Sequence, residues 1–290
     1  MIDAHHHLWD LSVRSQPWLV GDQAWATEEE LAPLRRSFTV ADLSAAAAGT
    51  GVTGTVVVQV LADPAETADL LATAAGDGLV RAVVGWADLT APDVFEQVAA
   101  YRELPGGDRL AGVRHPLLAE PDEEWLALPA VRDGLRALEA AGLCFDLTLF
   151  ARQLPLAVET ARSVPSVTFV LDHLGNPPVE AAEDVDDRAD GAWARAIADL
   201  GVLDNVVCKL SGAHSEPLRA ALVRPYFEAT LVAFGPSRLM FGSDWPVSSL
   251  VAPYQEVAAM YRELIASLSP DEQQEVLEGT ARRVYGLVER

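Results

Sequence analysis

Met1-Ile2-Asp3-Ala4-His5-His6-His7-Leu8-Trp9 opens the chain and reads as a short strand carrying three consecutive histidines. Alternate side chains of an extended strand share a face, so His5 and His7 point one way and His6 the other. Far along the chain, Leu239-Met240-Phe241-Gly242-Ser243-Asp244-Trp245-Pro246 reads as a second strand that runs out on a lone aspartate. A sheet that closes on itself brings its first and last strands together, which would set His5 and His7 beside Asp244. An imidazole pair facing a carboxylate is the raw material of a metal site, a general base, or both. His6, alone on its face, is expected to be a satisfied core residue. Flanked by strand-forming residues, the three histidines read as part of the strand rather than as an added tag.

Between these ends, β-branched or apolar runs alternate with helical patterns at intervals of roughly thirty residues, the rhythm of repeated strand–helix units. Strands are predicted at 2–7, 55–60, 80–86, 110–114, 143–147, 167–173, 206–211 and 239–244. A helix is expected over 39–48, with Thr39 as N-cap and Asp42 completing a capping box. Another is expected over 130–141, with Val131, Leu135 and Leu138 on one face and Gly142 as its stop. Further helices start near Ala65, Asp93, Leu154, Trp193, Pro217 and Tyr254. Eight strand–helix units in 290 residues predict a (β/α)8 TIM barrel, a single domain over 1–290, rather than a doubly wound sheet. From Ser269, with Pro270 at a first helical position and Val276, Leu277, Ala281, Val284 and Tyr285 spaced for one face, an extra C-terminal helix is expected to cover the barrel's outside.

Half of the residues are hydrophobic, so a chain of this length buries roughly three quarters of its unfolded surface. The formal charge of −22 repels nucleic acid and anionic membrane, and no basic run offsets it. Cys144 and Cys208 lie in apolar runs and read as buried structural thiols, which fits a reducing cytoplasm. No apolar run approaches the roughly 20 residues that span a bilayer, and the opening strand has no signal-peptide pattern before it. The acidic stretch at 180–190 reads as a solvated loop. The connection from Leu8 to Phe38, with Trp9, Trp18 and Trp25, is longer than barrel geometry needs and is either an active-site cover or a loop packed on the barrel.

Polar residues fall where this architecture does chemistry, at the carboxyl ends of the strands. They are His5 and His7, Gln59, Trp86 with Asp88, Arg114 with His115, Asp146, His173, Lys209 with Ser211, and Asp244. Buried and unpaired, such groups would each cost about 1–3 kcal/mol, so a ring of them implies a polar cavity. Internal salt bridges, such as Asp146 with Lys209 or Arg114, are expected for one or two.

These segments resemble a known family. Ile2-Asp3-Ala4-His5-His6-His7-Leu8-Trp9-Asp10, Val58-Gln59, Gly85-Trp86, Gly112-Val113-Arg114, Leu171-Asp172-His173-Leu174-Gly175, Cys208-Lys209-Leu210-Ser211-Gly212 and Leu239 through Pro246 occur in the order found in the amidohydrolase superfamily. Within it the chain resembles the branch of sugar-lactone hydrolases that includes L-fuconolactonases, L-rhamnonolactonases and 2-pyrone-4,6-dicarboxylate lactonases. The resemblance implies hydrolysis of a cyclic ester by water, with the first-strand histidines, His173 and Asp244 around the reacting carbonyl.

Ring opening needs an activated water, a stabilised oxyanion and a proton for the leaving alkoxide. Asp244 is the expected base that takes and returns the proton, and His173, helped by Arg114 or Lys209, the expected oxyanion stabiliser. His5, His7, His173 and Asp244 are acceptable ligands for a single Zn²⁺. A second metal is not expected: the superfamily's binuclear centres use a bridging lysine or glutamate at the fourth strand, where this chain has Arg114, which offers no lone pair. Asp146 stands where the superfamily usually has a histidine, and the lactonase branch is understood to include members that work without metal. One divalent ion and a metal-independent site are therefore both open.

Few convergent arginines argue for a neutral aldono-1,4- or 1,5-lactone over a dicarboxylate, with Arg114, Lys209 and Arg14 the cations on offer. Gln59, Asp88, Asp146 and Ser211 are expected to meet its hydroxyls, and Trp86 or a loop tryptophan such as Trp18 to stack on its ring. A small molecule is the expected partner, and a homo-oligomer is left open. Alternatives on the same scaffold are C–N hydrolysis and non-oxidative decarboxylation; a non-catalytic sugar-binding barrel would have no use for a base beside a histidine cluster.

Overall fold

The β-branched runs extend into eight parallel strands, and helices return the chain between them along the outside. In the computed structural model, which describes residues 1–179, 191–212 and 218–287, the strands are β1 Ile2–His6, β2 Gly54–Val58, β3 Val80–Gly85, β4 Leu110–His115, β5 Cys144–Leu147, β6 Phe169–Leu171, β7 Val206–Leu210 and β8 Leu239–Phe241. They lie in one sheet in sequence order. Beyond the last residue of β8 the chain reaches back to β1: the Asp244 amide donates to the His5 carbonyl (2.8 Å) and the His7 amide to the Trp245 carbonyl (2.7 Å). This seam completes the predicted TIM barrel.

The helices are α1 Val40–Ala46, α2 Pro64–Gly76, α3 Val94–Arg102, α4 Pro129–Ala140, α5 Leu154–Ser163, α6 Ala192–Gly201, α7 Ala220–Phe234 and α8 Tyr254–Leu264. The capping box of Thr39 and Asp42 starts α1, and α4 buries Val131, Leu135 and Leu138 as its periodicity predicts. The expected helix start at Pro217 and the acidic stretch 180–190 lie outside the described residues. Among the described residues no helix is long and apolar enough to cross a membrane.

Apolar side chains pack in two layers. The larger lies between strands and helices and includes Val57, Val83, Val113, Phe145, Phe169 and Phe241. The smaller comes from the opposite strand face, with Ile2, Ala4, Val56, Val58, Ala82, Val84, Cys144, Val170, Val207 and Met240. It fills the amino-terminal half of the barrel interior and leaves the carboxyl half to polar groups.

The C-terminal segment differs from expectation. It begins at Ser269 with a capping box to Glu272 and runs as α9 Pro270–Gln274, a π-helical turn Glu275–Gly279 and α10 Thr280–Val284. It does not simply cover the outside, because Ala281 and Tyr285 join the interior cluster and the segment stoppers the barrel's amino-terminal mouth. A stopper lets an apolar interior end against protein rather than water.

The connection from Leu8 to Phe38 is zipped at its ends by paired backbone bonds between Trp9 and Phe38 (3.2 and 2.8 Å). It buries Leu19, Leu31 and Leu34. Arg14 ties it to α2 through Asp63 (2.5 Å) and Asp69 (2.8 Å).

Candidate active site

A register shift in β1 sets the site. Asp3 pairs with Thr55 and His6 with Val57, so β1 spends one more residue than β2 between these points. Strict alternation would put residues 3, 5 and 7 on one face. The bulge instead turns Asp3 outward, where it meets Tyr254 of α8, while Ala4 and His5 both face the lumen. Alternation then resumes: His6 points out to Thr55 Oγ1 (2.9 Å), and His7 returns beside His5.

Asp3 thereby becomes a clasp. Its carboxylate accepts the Ser243 amide (2.8 Å), the Ser243 hydroxyl (2.7 Å), the Tyr254 hydroxyl (2.8 Å) and the His5 amide (3.1 Å). Burial pushes its pKa up to about 6 against these four donors. The clasp fixes the turn after β8, in which Asp244 takes a left-handed conformation (φ 58°). Aspartate tolerates this region better than most residues, and such strain concentrates at functional positions.

The result is a triangle of donor atoms. His5 Nε2 and His7 Nε2 are 3.2 Å apart, and Asp244 Oδ1 lies 3.7 Å from the first and 3.6 Å from the second. Tetrahedral zinc ligands, at bond lengths near 2.0–2.1 Å, stand about 3.3 Å from one another. The triangle is therefore the right size for three ligands of one ion. Its chemistry fits as well: His7 Nδ1 faces the Val58 carbonyl (2.8 Å), which as proton acceptor leaves Nε2 with its lone pair. Burial drives His5 well below its usual pKa, so it is a neutral imidazole. Of the four expected ligands, His173 does not join this triangle; its donor atom groups instead with His5 and Asp172.

Beneath the triangle lies a charged layer. Lys209 Nζ reaches Asp146 (2.5 Å), Asp172 (2.9 Å) and His5 Nδ1 (3.1 Å). Arg114 reaches Asp172 (3.1 Å), the Gln59 carbonyl (2.5 Å) and Gln59 Oε1 (3.3 Å). Burial works against the Lys209 ammonium, but Asp146 and Asp172 overcome it and raise its pKa. For Asp172, burial is outweighed by Lys209, His5 and Arg114, which hold it well below the usual carboxylate range. Burial likewise favours the neutral form of Asp244, yet the imidazoles of His173, His7 and His5 hold it ionised, well below that range.

His173 also adopts a left-handed backbone (φ 56°), because the chain leaves β6 at Leu171, two residues before the predicted strand end. Its Nδ1 bonds Ser211 Oγ (3.0 Å). Gly212 backs onto its ring: a β-carbon there would stand 2.3 Å from Nδ1. Burial lowers its pKa, favouring the neutral ring.

The remaining expected residues divide. Gln59 braces Arg114 by two contacts and also donates to its carbonyl (3.0 Å). Trp86 continues the lumen face of Ala82 and Val84 and donates its indole N–H to His115 Nδ1 (3.2 Å). His115 in turn meets Glu120 (2.8 Å) and stacks on Trp125. Asp88 accepts the Thr90 amide and hydroxyl in a local turn. Trp18 bonds Gln16 and packs edge-on against Trp9. Trp9, Phe38 and Trp245 then link in edge-to-face contacts to the residue after Asp244.

Two important residues escaped the sequence reading. Alternation assigns Asp172 to the face opposite His173, a rule that lapses where the strand has ended. Asp3 had no signal apart from the bulge.

Comparisons with known proteins identify the family. An L-fucono-1,5-lactonase of Burkholderia multivorans is 37% identical over 99% of this chain and 96% of its own length. One from Burkholderia ambifaria is 35% identical over 89% of this chain and 84% of its own. A crystal structure of a Burkholderia multivorans amidohydrolase with bound zinc superposes with a TM-score of 0.88, at 33% identity and covering 99% of both chains. The sequence model of the amidohydrolase family matches residues 2–287, and the chain belongs to that family.

Proposed function

We propose that this chain is a hydrolase that opens a neutral sugar lactone with water, with Asp244 as general base. The observation that carries the reading is the buried Asp244 carboxylate held 3.6–3.7 Å from two imidazole nitrogens at the barrel's closing seam. Relatives named L-fucono-1,5-lactonase along nearly the whole length support a lactone as substrate.

Asp244 takes a proton from water as the oxygen attacks the ester carbonyl, and the carbonyl electrons move onto an oxyanion. Collapse breaks the ring C–O bond, and the departing alkoxide recovers the proton from Asp244. One water is consumed and one hydroxy acid is formed. If Ser211 donates to His173 Nδ1, the other ring nitrogen carries the proton that meets the oxyanion. Arg114 and Lys209 add positive field close by, with Gln59, Asp146 and Asp172 as their supports. A divalent ion held by His5, His7 and Asp244, zinc being the species that suits this donor set, would polarise the carbonyl and lower the pKa of coordinated water to about 7.

Each cation the sequence offered to a substrate carboxylate has a carboxylate of the protein as partner: Arg114 has Asp172, Lys209 has Asp146 and Asp172, and Arg14 has Asp63 and Asp69. That supports a neutral ring. Trp86 is our candidate stacking surface, with Asp88, Ser211 and Trp18 as further contacts. Both free thiols are buried, which fits a reducing setting such as the cytoplasm.

The test is a pH-stat assay on a panel of sugar γ- and δ-lactones. Wild-type protein should release acid, and Asp244→Asn should be slower by about 10²–10⁴. Undiminished turnover in that variant removes Asp244 from the chemistry, and turnover of amides in place of lactones overturns the substrate assignment. Chelation followed by zinc return should lower and restore the rate; full activity in metal-free protein ends the metal's part.

A further inference from the structure

We propose that Tyr285 is a positioning residue for the active site, acting from the opposite mouth of the barrel through Asp146 and Lys209 on His5. It stands on the stopper segment just past α10, buried in the interior cluster. Its hydroxyl donates to Asp146 Oδ2 (3.0 Å), the oxygen that also receives Lys209 Nζ (2.5 Å). The same ammonium pairs with Asp172 Oδ1 (2.9 Å), the oxygen that faces His5 Nδ1 at 3.2 Å. A continuous run of polar contacts thus joins the chain's last helix to a corner of the donor triangle.

The consequence follows from how one ammonium is divided between two carboxylates. Asp146 is fully buried, and burial pushes its pKa up against the donors Lys209 and Tyr285. Take the phenol away and a buried carboxylate loses one of its hydrogen bonds, a deficit that a mobile neighbouring donor can make good. Lys209 is that donor. Drawn further toward Asp146, it leaves Asp172 less firmly held, and Asp172 is the carboxylate that faces His5 Nδ1 (3.2 Å) and sets the ring's angle toward His7 and Asp244. Outer contacts of this kind hold a ligating imidazole in place without touching the reacting atoms.

This inference rests on the hydrolase reading for its kinetic arm alone. Tyr285→Phe removes one oxygen and keeps the ring. It should lower kcat about 10-fold and leave KM within about twofold. Zinc affinity, measured on metal-stripped protein by competition with a chromogenic chelator, should fall severalfold. In an Asp146→Asn background the same change should have no further effect on either quantity. Ala281→Gly, on the same segment and in the same cluster, loosens packing without touching the polar run; it should lower the unfolding temperature and leave kcat and zinc affinity unchanged. Wild-type kcat and zinc affinity in Tyr285→Phe overturn the inference. So do additive effects with Asp146→Asn, or an equal loss in Ala281→Gly. If the wild-type protein opens no lactone, the hydrolase reading fails while zinc competition still judges Tyr285.

Discussion

Replacing Asp172 by asparagine keeps its shape and removes its charge, and the structure says what that should cost. Asp172 is wholly buried and is the ion-pair partner of Arg114 and, together with Asp146, of Lys209. Lys209 would keep a carboxylate. Arg114 would be left with the neutral oxygens of Gln59. Breaking a buried pair from one side costs about 3–5 kcal/mol, since the surviving charge stays desolvated. For a chain of this size each kcal/mol moves the unfolding midpoint by roughly 2–4 °C, so a fall of roughly 6–20 °C is expected. Differential scanning calorimetry of wild-type and Asp172→Asn protein measures it. Added salt should not recover the loss, because the pair is shielded from solvent. A midpoint within about 2 °C of wild type, equivalent to less than about 1 kcal/mol, would show that Arg114 does not depend on Asp172, and the description of the charged layer would be wrong.

Gly212→Ala adds a β-carbon 2.3 Å from His173 Nδ1 at a position with φ 62°; lactone turnover should fall by at least about 10-fold with His173 displaced, and wild-type rates would contradict the backing role. His6 is buried, with burial lowering its pKa from 6.5 to about 3. The unfolded chain therefore binds its proton first, and this residue's share of stability is intact above pH 6.5 and lost as pH falls toward 3, at up to about 1.4 kcal/mol per pH unit. Urea unfolding across that range should show a shallower acid loss in His6→Asn than in wild type, and parallel curves would refute the assignment. Tyr254→Phe takes one of the four donors from Asp3; a stability loss of about 1 kcal/mol is expected, together with slower turnover as the turn before Asp244 loosens, and an unchanged rate would argue that the clasp has slack.

The barrel was legible because its signal is repeated: eight apolar runs spaced by amphipathic segments leave little room for another arrangement. Positions on regular strands were legible too, as with His5 and His7 on one face and His6 on the other. What the sequence concealed sits where regularity stops. The bulge in β1 sends Asp3 outward, and the early end of β6 lets Asp172 and His173 both turn into the lumen. The bulge has no glycine or proline to announce it, and after β6 Gly175 and Pro177 come only beyond His173. Tyr285, expected on the apolar face of a closing helix, stands one residue past α10 and is buried, but periodicity records only that a face is covered. It does not say that the cover lies inside the barrel or that a phenol's oxygen has somewhere to bond.

The triangle straddles the seam between β1 and the segment after β8, so its corners come from residues 5, 7 and 244. A nascent chain that has made seven of its strands owns both imidazoles and no carboxylate to face them. Chemistry therefore switches on late, after the first strand has met the segment that follows the eighth. In refolding from denaturant, recovery of turnover should trail recovery of helical circular dichroism, which makes catalysis a reporter of ring completion rather than of helix content.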